Sequence, residues 1–163
     1  MNPMNATTKL RHLGYFVHLE GGTLKYLYRG KNGPPKEKVA PLIKILKVHK
    51  EEILSDPHFH IHMVLGEINE RHEPGTLMWA KQERVQEWQK ALTLEGEINK
   101  AALLGDVEAL KEVLTEYMNL MLSMIGEFTS SKAKRRKEKR RERKRGEEEE
   151  ESRLACEKSL VRG

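Results

Sequence analysis

A single cysteine, Cys156, excludes an internal disulfide in this 163-residue chain and fits a reducing compartment. No run of eighteen apolar residues occurs, so no membrane-spanning helix is expected. The stretch MNPMNATTKL lacks the basic, apolar and small-residue succession of a secretory leader. A cytoplasmic location without membrane contact is therefore expected. No glycine-rich loop follows a strand, and Gly30-Lys31-Asn32-Gly33 lacks the Gly-Lys-Ser/Thr ending of a phosphate loop. Cys156 lies in a polar tail with no positioned base, which excludes it as a nucleophile. With no catalytic pattern in view, the chain is expected to be no enzyme and to use no cofactor.

Charge is abundant, at 34% of residues against the ~25% usual for soluble domains, and it is unevenly placed. Residues 132–163 carry a net +6, and the preceding 131 residues carry −1. The high pI therefore belongs to the tail, and the body is not a basic nucleic-acid binder by charge. Lys132 to Arg145 holds eleven Lys/Arg against Glu138 and Glu142. Lys134, Arg135, Arg136, Lys137, Lys139, Arg140, Arg141, Arg143, Lys144 and Arg145 are the candidate phosphate contacts, salt-sensitive and blind to sequence. No aromatic residue interleaves with them, so stacking on bases is not expected. Five glutamates, Glu147 to Glu151, could fold back and mask the run. The tail cannot bury a core, so it is expected to be disordered or a solvated helix continuing from Phe128 at least to Gly146.

The segment GYFVHLEGGTLKYLYRG, residues 14–30, alternates with period two about Gly21-Gly22 and predicts a hairpin with a two-residue turn. Leu19 then pairs with Leu24, His18 with Lys25, Val17 with Tyr26 and Phe16 with Leu27. One face is apolar or tyrosine. The other shows Phe16, His18, Lys25, Leu27 and Arg29 to solvent, as a surface for a partner or as one covered by residues 57–130. A helix is expected before the hairpin, capped by Asn5 or Thr7, with Leu10 and Leu13 inward and Gly14 as its stop. After GKNGPP, a helical stripe runs through Val39, Leu42, Ile43, Leu46 and Ile53.

The order helix, hairpin, helix, with Leu13-Gly14 closing the first helix and Leu46, His49, Lys50 and Ile53 in the last, resembles the TubC-type N-terminal docking domains of nonribosomal peptide and polyketide assembly lines. The resemblance covers about residues 7–56. Similar domains open proteins of bacterial mobile elements, so it implies a bacterial or phage context. It also implies that Lys25, Leu27 and Arg29, with Phe16 and His18 beside them, receive a short segment of a partner chain.

Beyond Asp56, a cap followed by Pro57, the chain reads as helical. Phe59, Ile61, Met63, Leu65 and Ile68 are expected to be buried, HEPGT ends that helix, and Thr76 caps the next. Trp79, Val85, Trp88 and Leu92 follow, then Leu94, Ile98, Ala101 and Ala102, with Gly105-Asp106 as a tight helical hairpin. Val107, Leu110, Leu114, Tyr117, Met121, Met124 and Phe128 make an apolar seam at alternating spacings of three and four. That seam either packs within the chain or joins two copies through the 107–128 helix. His58 and His62 stand one helical turn apart, the spacing of a two-histidine metal site, with His60 between them. No Glu follows His58 directly, no further ligand is fixed, and no metal is assigned.

Together these features predict an α+β protein: an αββα docking-like domain over 1–56, a helical bundle over 57–130 and a charged tail over 131–163. The expected function is docking or adaptor work on a partner chain through the hairpin. The alternative is a nucleic-acid-binding accessory acting on DNA or RNA through the tail. A metal-dependent role for His58 and His62 stands third.

Overall fold

The computed structural model describes residues 2–20, 23–33 and 35–162. The chain begins with α1 (Pro3–His12), whose first turn is set by Asn2: its side chain accepts from the Met4 N–H at 2.9 Å, and Pro3 follows at the first helical position. The cap is thus Asn2, not Asn5 or Thr7. Thr7 is an interior residue, buried, with its hydroxyl donating to the Met4 carbonyl at 2.7 Å. Gly14 ends the turn at φ +88, a left-handed conformation that favours glycine, and a Cβ there would also press on the Tyr28 ring at 3.2 Å.

Strands β1 (Tyr15–Glu20) and β2 (Thr23–Tyr28) pair antiparallel in the expected register, Phe16 opposite Leu27 and His18 opposite Lys25. The Gly21-Gly22 turn lies outside the described residues. Next come α2 (Lys36–Val48) and α3 (Lys50–Ser55). The single stripe expected here is broken at His49, but the phase survives, so Val39, Leu42, Leu46 and Ile53 are all buried. Helix α4 (Pro57–Arg71) starts at the Asp56 cap, whose carboxylate accepts from the His58 N–H at 2.9 Å.

Helices α5 (Thr76–Glu83), α6 (Val85–Leu104) and α7 (Val107–Val161) complete the chain. Gly75 stands at the cap of α5, and Thr76 inside it donates to the Glu73 carbonyl at 2.7 Å, so Thr76 is not the cap. A break at Arg84 resets the helical phase. The buried face of α6 then runs through Ala91, Leu94, Ile98 and Ala101, which leaves Val85 and Leu92 exposed on the opposite side. Gly105 in the left-handed region and Asp106, accepting from the Ala109 N–H at 3.1 Å, make the expected tight connection.

The apolar residues form two clusters. One joins Ala6 and Leu10 of α1, Val17 and Leu24 of the hairpin, the α2 and α3 stripe, and Phe59 and Met63 of α4. The other joins Ile68 of α4 to α5, α6 and the seam of α7. Helix α4 serves both, with Phe59 and Met63 on one side and Ile61, Val64 and Ile68 on the other; Leu65, on the flank of that second side, is exposed. The result is a mostly helical α+β fold with one two-stranded sheet. The seam of α7 is covered by the chain's own helices: Leu110, Leu114, Tyr117, Met121 and Met124 are buried against α4, α5 and α6. Among the described residues no helix is long and apolar enough to cross a membrane.

Candidate functional site

The outer face of the hairpin gathers the five residues expected there, with two corrections: Phe16 and His18 do not stand in solvent, Phe16 being buried and His18 partly buried. Phe16 is only 7% exposed, although it belongs to neither apolar cluster. Its ring lies beneath the Arg29 guanidinium, 3.9 Å from the ring centroid, and stacks on His18 at 5.0 Å. The face therefore covers its own aromatic residue with a cation and an imidazole, which period-two alternation cannot foresee. Leu27, directly opposite Phe16, is 51% exposed, and Lys25 and Arg29 are exposed beside it. His18 also borders a cleft of about 290 Å³ between β1, α4 and α7, shared with His60, Glu67 and Lys111. The His18 Nδ1 atom is buried there without a hydrogen-bond partner.

The edge of β2 adds a second feature. Arg29 N–H donates to the Gly14 carbonyl at 2.8 Å. In an antiparallel ladder the bonded pairs alternate, so Leu27, Lys25 and Thr23 also turn their backbone groups toward β1. Leu24, Tyr26 and Tyr28 turn theirs the other way. The sheet has two strands only, so among the described residues that edge has no strand beside it. β1 lies against α1 and α4, whereas β2 contacts chiefly β1. Burial holds the Tyr26 hydroxyl in its neutral form, raising its pKa above the ordinary tyrosine value.

The basic run lies on α7. This helix continues past Phe128 and Gly146 to Val161; at 1.5 Å per residue the part beyond Ser131 extends about 45 Å. From Ala133 to Arg162 every residue is exposed. Glu147 to Glu151 continue along the same helix and do not fold back; Glu147 pairs with Arg143 at 2.8 Å. At the root of the run, Lys132 meets Glu73 at 3.1 Å, and this hydrogen bond chiefly holds the Glu73 carboxyl below its ordinary pKa. Trp79 of α5 stands beside Phe128 there, ring centroids 5.7 Å apart. More than fifty residues separate Trp79 from the run, and only the fold brings them together.

The histidines take separate roles. His58 is exposed. His60 is buried and donates to the Leu54 carbonyl at 2.9 Å. His62 Nε2 lies 3.1 Å from the Thr7 hydroxyl; that hydroxyl gives its proton to Met4, so His62 is the donor. Among the described residues no three His, Cys, Asp or Glu side chains gather into a group able to hold a metal. Comparison with known protein families, with curated proteins and with solved structures finds no match.

Proposed function

We propose that the protein is a non-enzymatic docking or adaptor protein, akin over its first third to TubC-type docking domains and their mobile-element counterparts. It holds a short acidic and partly apolar segment of a partner chain along β2. The open edge of β2 carries this reading, because it is flanked by Lys25, Leu27 and Arg29 on the outer face. An unpaired edge offers main-chain hydrogen bonds to an extended segment, while alternate side chains supply specificity. The cations select acidic residues, and Leu27 selects an apolar one.

The test uses acidic-apolar peptides selected by display on the full chain, followed by calorimetry and amide exchange. Binding should protect the N–H groups of Leu24, Tyr26 and Tyr28, which face the open edge. Lys25→Glu with Arg29→Glu should weaken binding at least tenfold. The fold should persist, because Lys25 and Arg29 are both exposed and belong to neither apolar cluster. Unchanged affinity, or protection elsewhere, would remove the hairpin as the docking surface.

A second reading rests on a separate observation, the fully exposed basic helix. Through it the protein would act as a DNA- or RNA-binding accessory, gaining affinity from counterion release and reading no sequence.

A further inference from the structure

We infer that the root of the basic helix is a binding site for single-stranded nucleic acid, in which an unpaired base stacks on Trp79 and the adjoining phosphates lie along Lys132, Arg135, Arg136 and Lys139. This rests on the nucleic-acid reading of the tail and narrows its ligand. Trp79, Phe128 and these four cations line one cleft of about 310 Å³ between α5 and α7. The two rings meet at 50°, and the Lys132 ammonium stands 5.9 Å from the Phe128 centroid.

The cleft has an apolar aromatic floor and a rim of one charge sign. Phe128, Lys132, Arg135, Arg136 and Lys139 follow one another closely at near-helical spacings, so they form a single stripe on α7. No carboxylate lines the cleft. Glu73, which Lys132 and Thr129 engage, is not among the lining residues. Cations tracking a phosphate backbone beside an aromatic platform are the recurring solution for single strands, since every base has a π-face. A duplex hides those faces inside its stack and shows only base edges, which an indole between two helices cannot reach. The site also supplies the aromatic residue that the basic run itself lacks.

The experiment measures binding of the full chain to fluorescein-labelled oligothymidine and to a duplex of equal length, by anisotropy over a salt series. Trp79→Ala should weaken single-strand binding about 5- to 100-fold, with little change for the duplex. Trp79→Phe should retain most of the affinity. Trp79 is half-buried, so Arg135→Ala with Arg136→Ala serves as a second variant on exposed positions; it should reduce the single-strand salt slope by about 1.4. A Trp88→Phe background leaves Trp79 as the sole indole, and its fluorescence should fall on binding.

Equal binding of strand and duplex, with Trp79 variants like the parent and no quenching, would overturn the site but leave the tail as a nucleic-acid binder. No binding to either at 50 mM salt would overturn both. Stronger quenching by an oligoglutamate peptide bearing phenylalanine than by oligothymidine would overturn the site in favour of an acidic protein ligand.

Discussion

Gly66 lies on α4 where the Arg11 side chain crosses from α1. A Cβ built there would fall inside the Arg11 guanidinium. That guanidinium donates to the Met63 carbonyl at 3.2 Å and faces Glu70 at 3.6 Å. In Gly66→Ala the guanidinium must leave. Losing a charge-assisted hydrogen bond in a half-buried place costs ~1.5–3 kcal/mol. Helix propensity returns ~1 kcal/mol, since alanine orders more readily than glycine. The net expectation is a destabilisation of ~0.5–2 kcal/mol. Gly96 on α6 is the control, because a Cβ there meets nothing within 4 Å. Gly96→Ala should gain ~0.5–1 kcal/mol. Urea unfolding at constant slope measures both. In an Arg11→Ala background the notch is empty, and Gly66→Ala should turn from harmful to helpful, a coupling of ~1.5–3 kcal/mol. If Gly66→Ala stabilises the parent as much as Gly96→Ala does, Arg11 does not occupy the notch.

Leu110→Ala, at a fully buried seam position, should cost ~2–5 kcal/mol in urea unfolding, and sedimentation should show the same species before and after, since the chain's own helices cover the seam. Burial, with the Arg11 charge nearby, holds the His62 pKa below the ordinary histidine value of about 6.5. The unfolded chain therefore binds the extra proton first, so His62 should contribute stability above about pH 6.5 that is lost as pH falls through its folded value; His62→Gln should flatten that slope in thermal melts. Truncation after Ser131 should abolish nucleic-acid binding in anisotropy titrations, because the body carries about −1. Exchanging Glu147–Glu151 for glutamine should strengthen binding less than tenfold, and less still at high salt.

Much of the fold is legible in the sequence because local signals suffice. Period-two alternation around two glycines specifies the register to the pair, and Asp56-Pro57 and Gly105-Asp106 carry their own capping chemistry. The seam of α7 is legible because one uninterrupted helix keeps a constant phase. What escapes is set by interactions remote in sequence or by phase breaks. Arg84 stands outside the helical region between α5 and α6, its Nε donating to Glu127 Oε2 of α7 at 2.6 Å, and beyond this break Val85 and Leu92 lie off the buried face. Alternation puts Phe16 in solvent because it assigns a face but not the side chains that fold over it. The outer hairpin face is readable as a set of residues, while the open β2 edge needs the strand count. Trp79 at the root of the basic run has no sequence signal, since α6 and most of α7's seam intervene.

The helical continuity of α7 decides which cations are open to a ligand. If the tail were a flexible coil, Glu147 to Glu151 could reach any of the eleven basic residues. On one continuous helix, Glu147 stands eleven residues beyond Arg136, about 16 Å along the axis. The screening length at physiological salt is about 8 Å, so the glutamates barely act on Lys132, Arg135 and Arg136. They act on Arg143, with which Glu147 is paired, and on its immediate neighbours. Masking by these glutamates is therefore graded along the helix, strongest at its far end, while at the root the carboxylate paired with the run is Glu73, held by Lys132. Helix α4 packs into both apolar clusters, so the root of α7 is tied to the hairpin through it. A partner held on β2 would then be presented at a set distance and direction from whatever the root of α7 holds, whereas a flexible tether would only raise its local concentration.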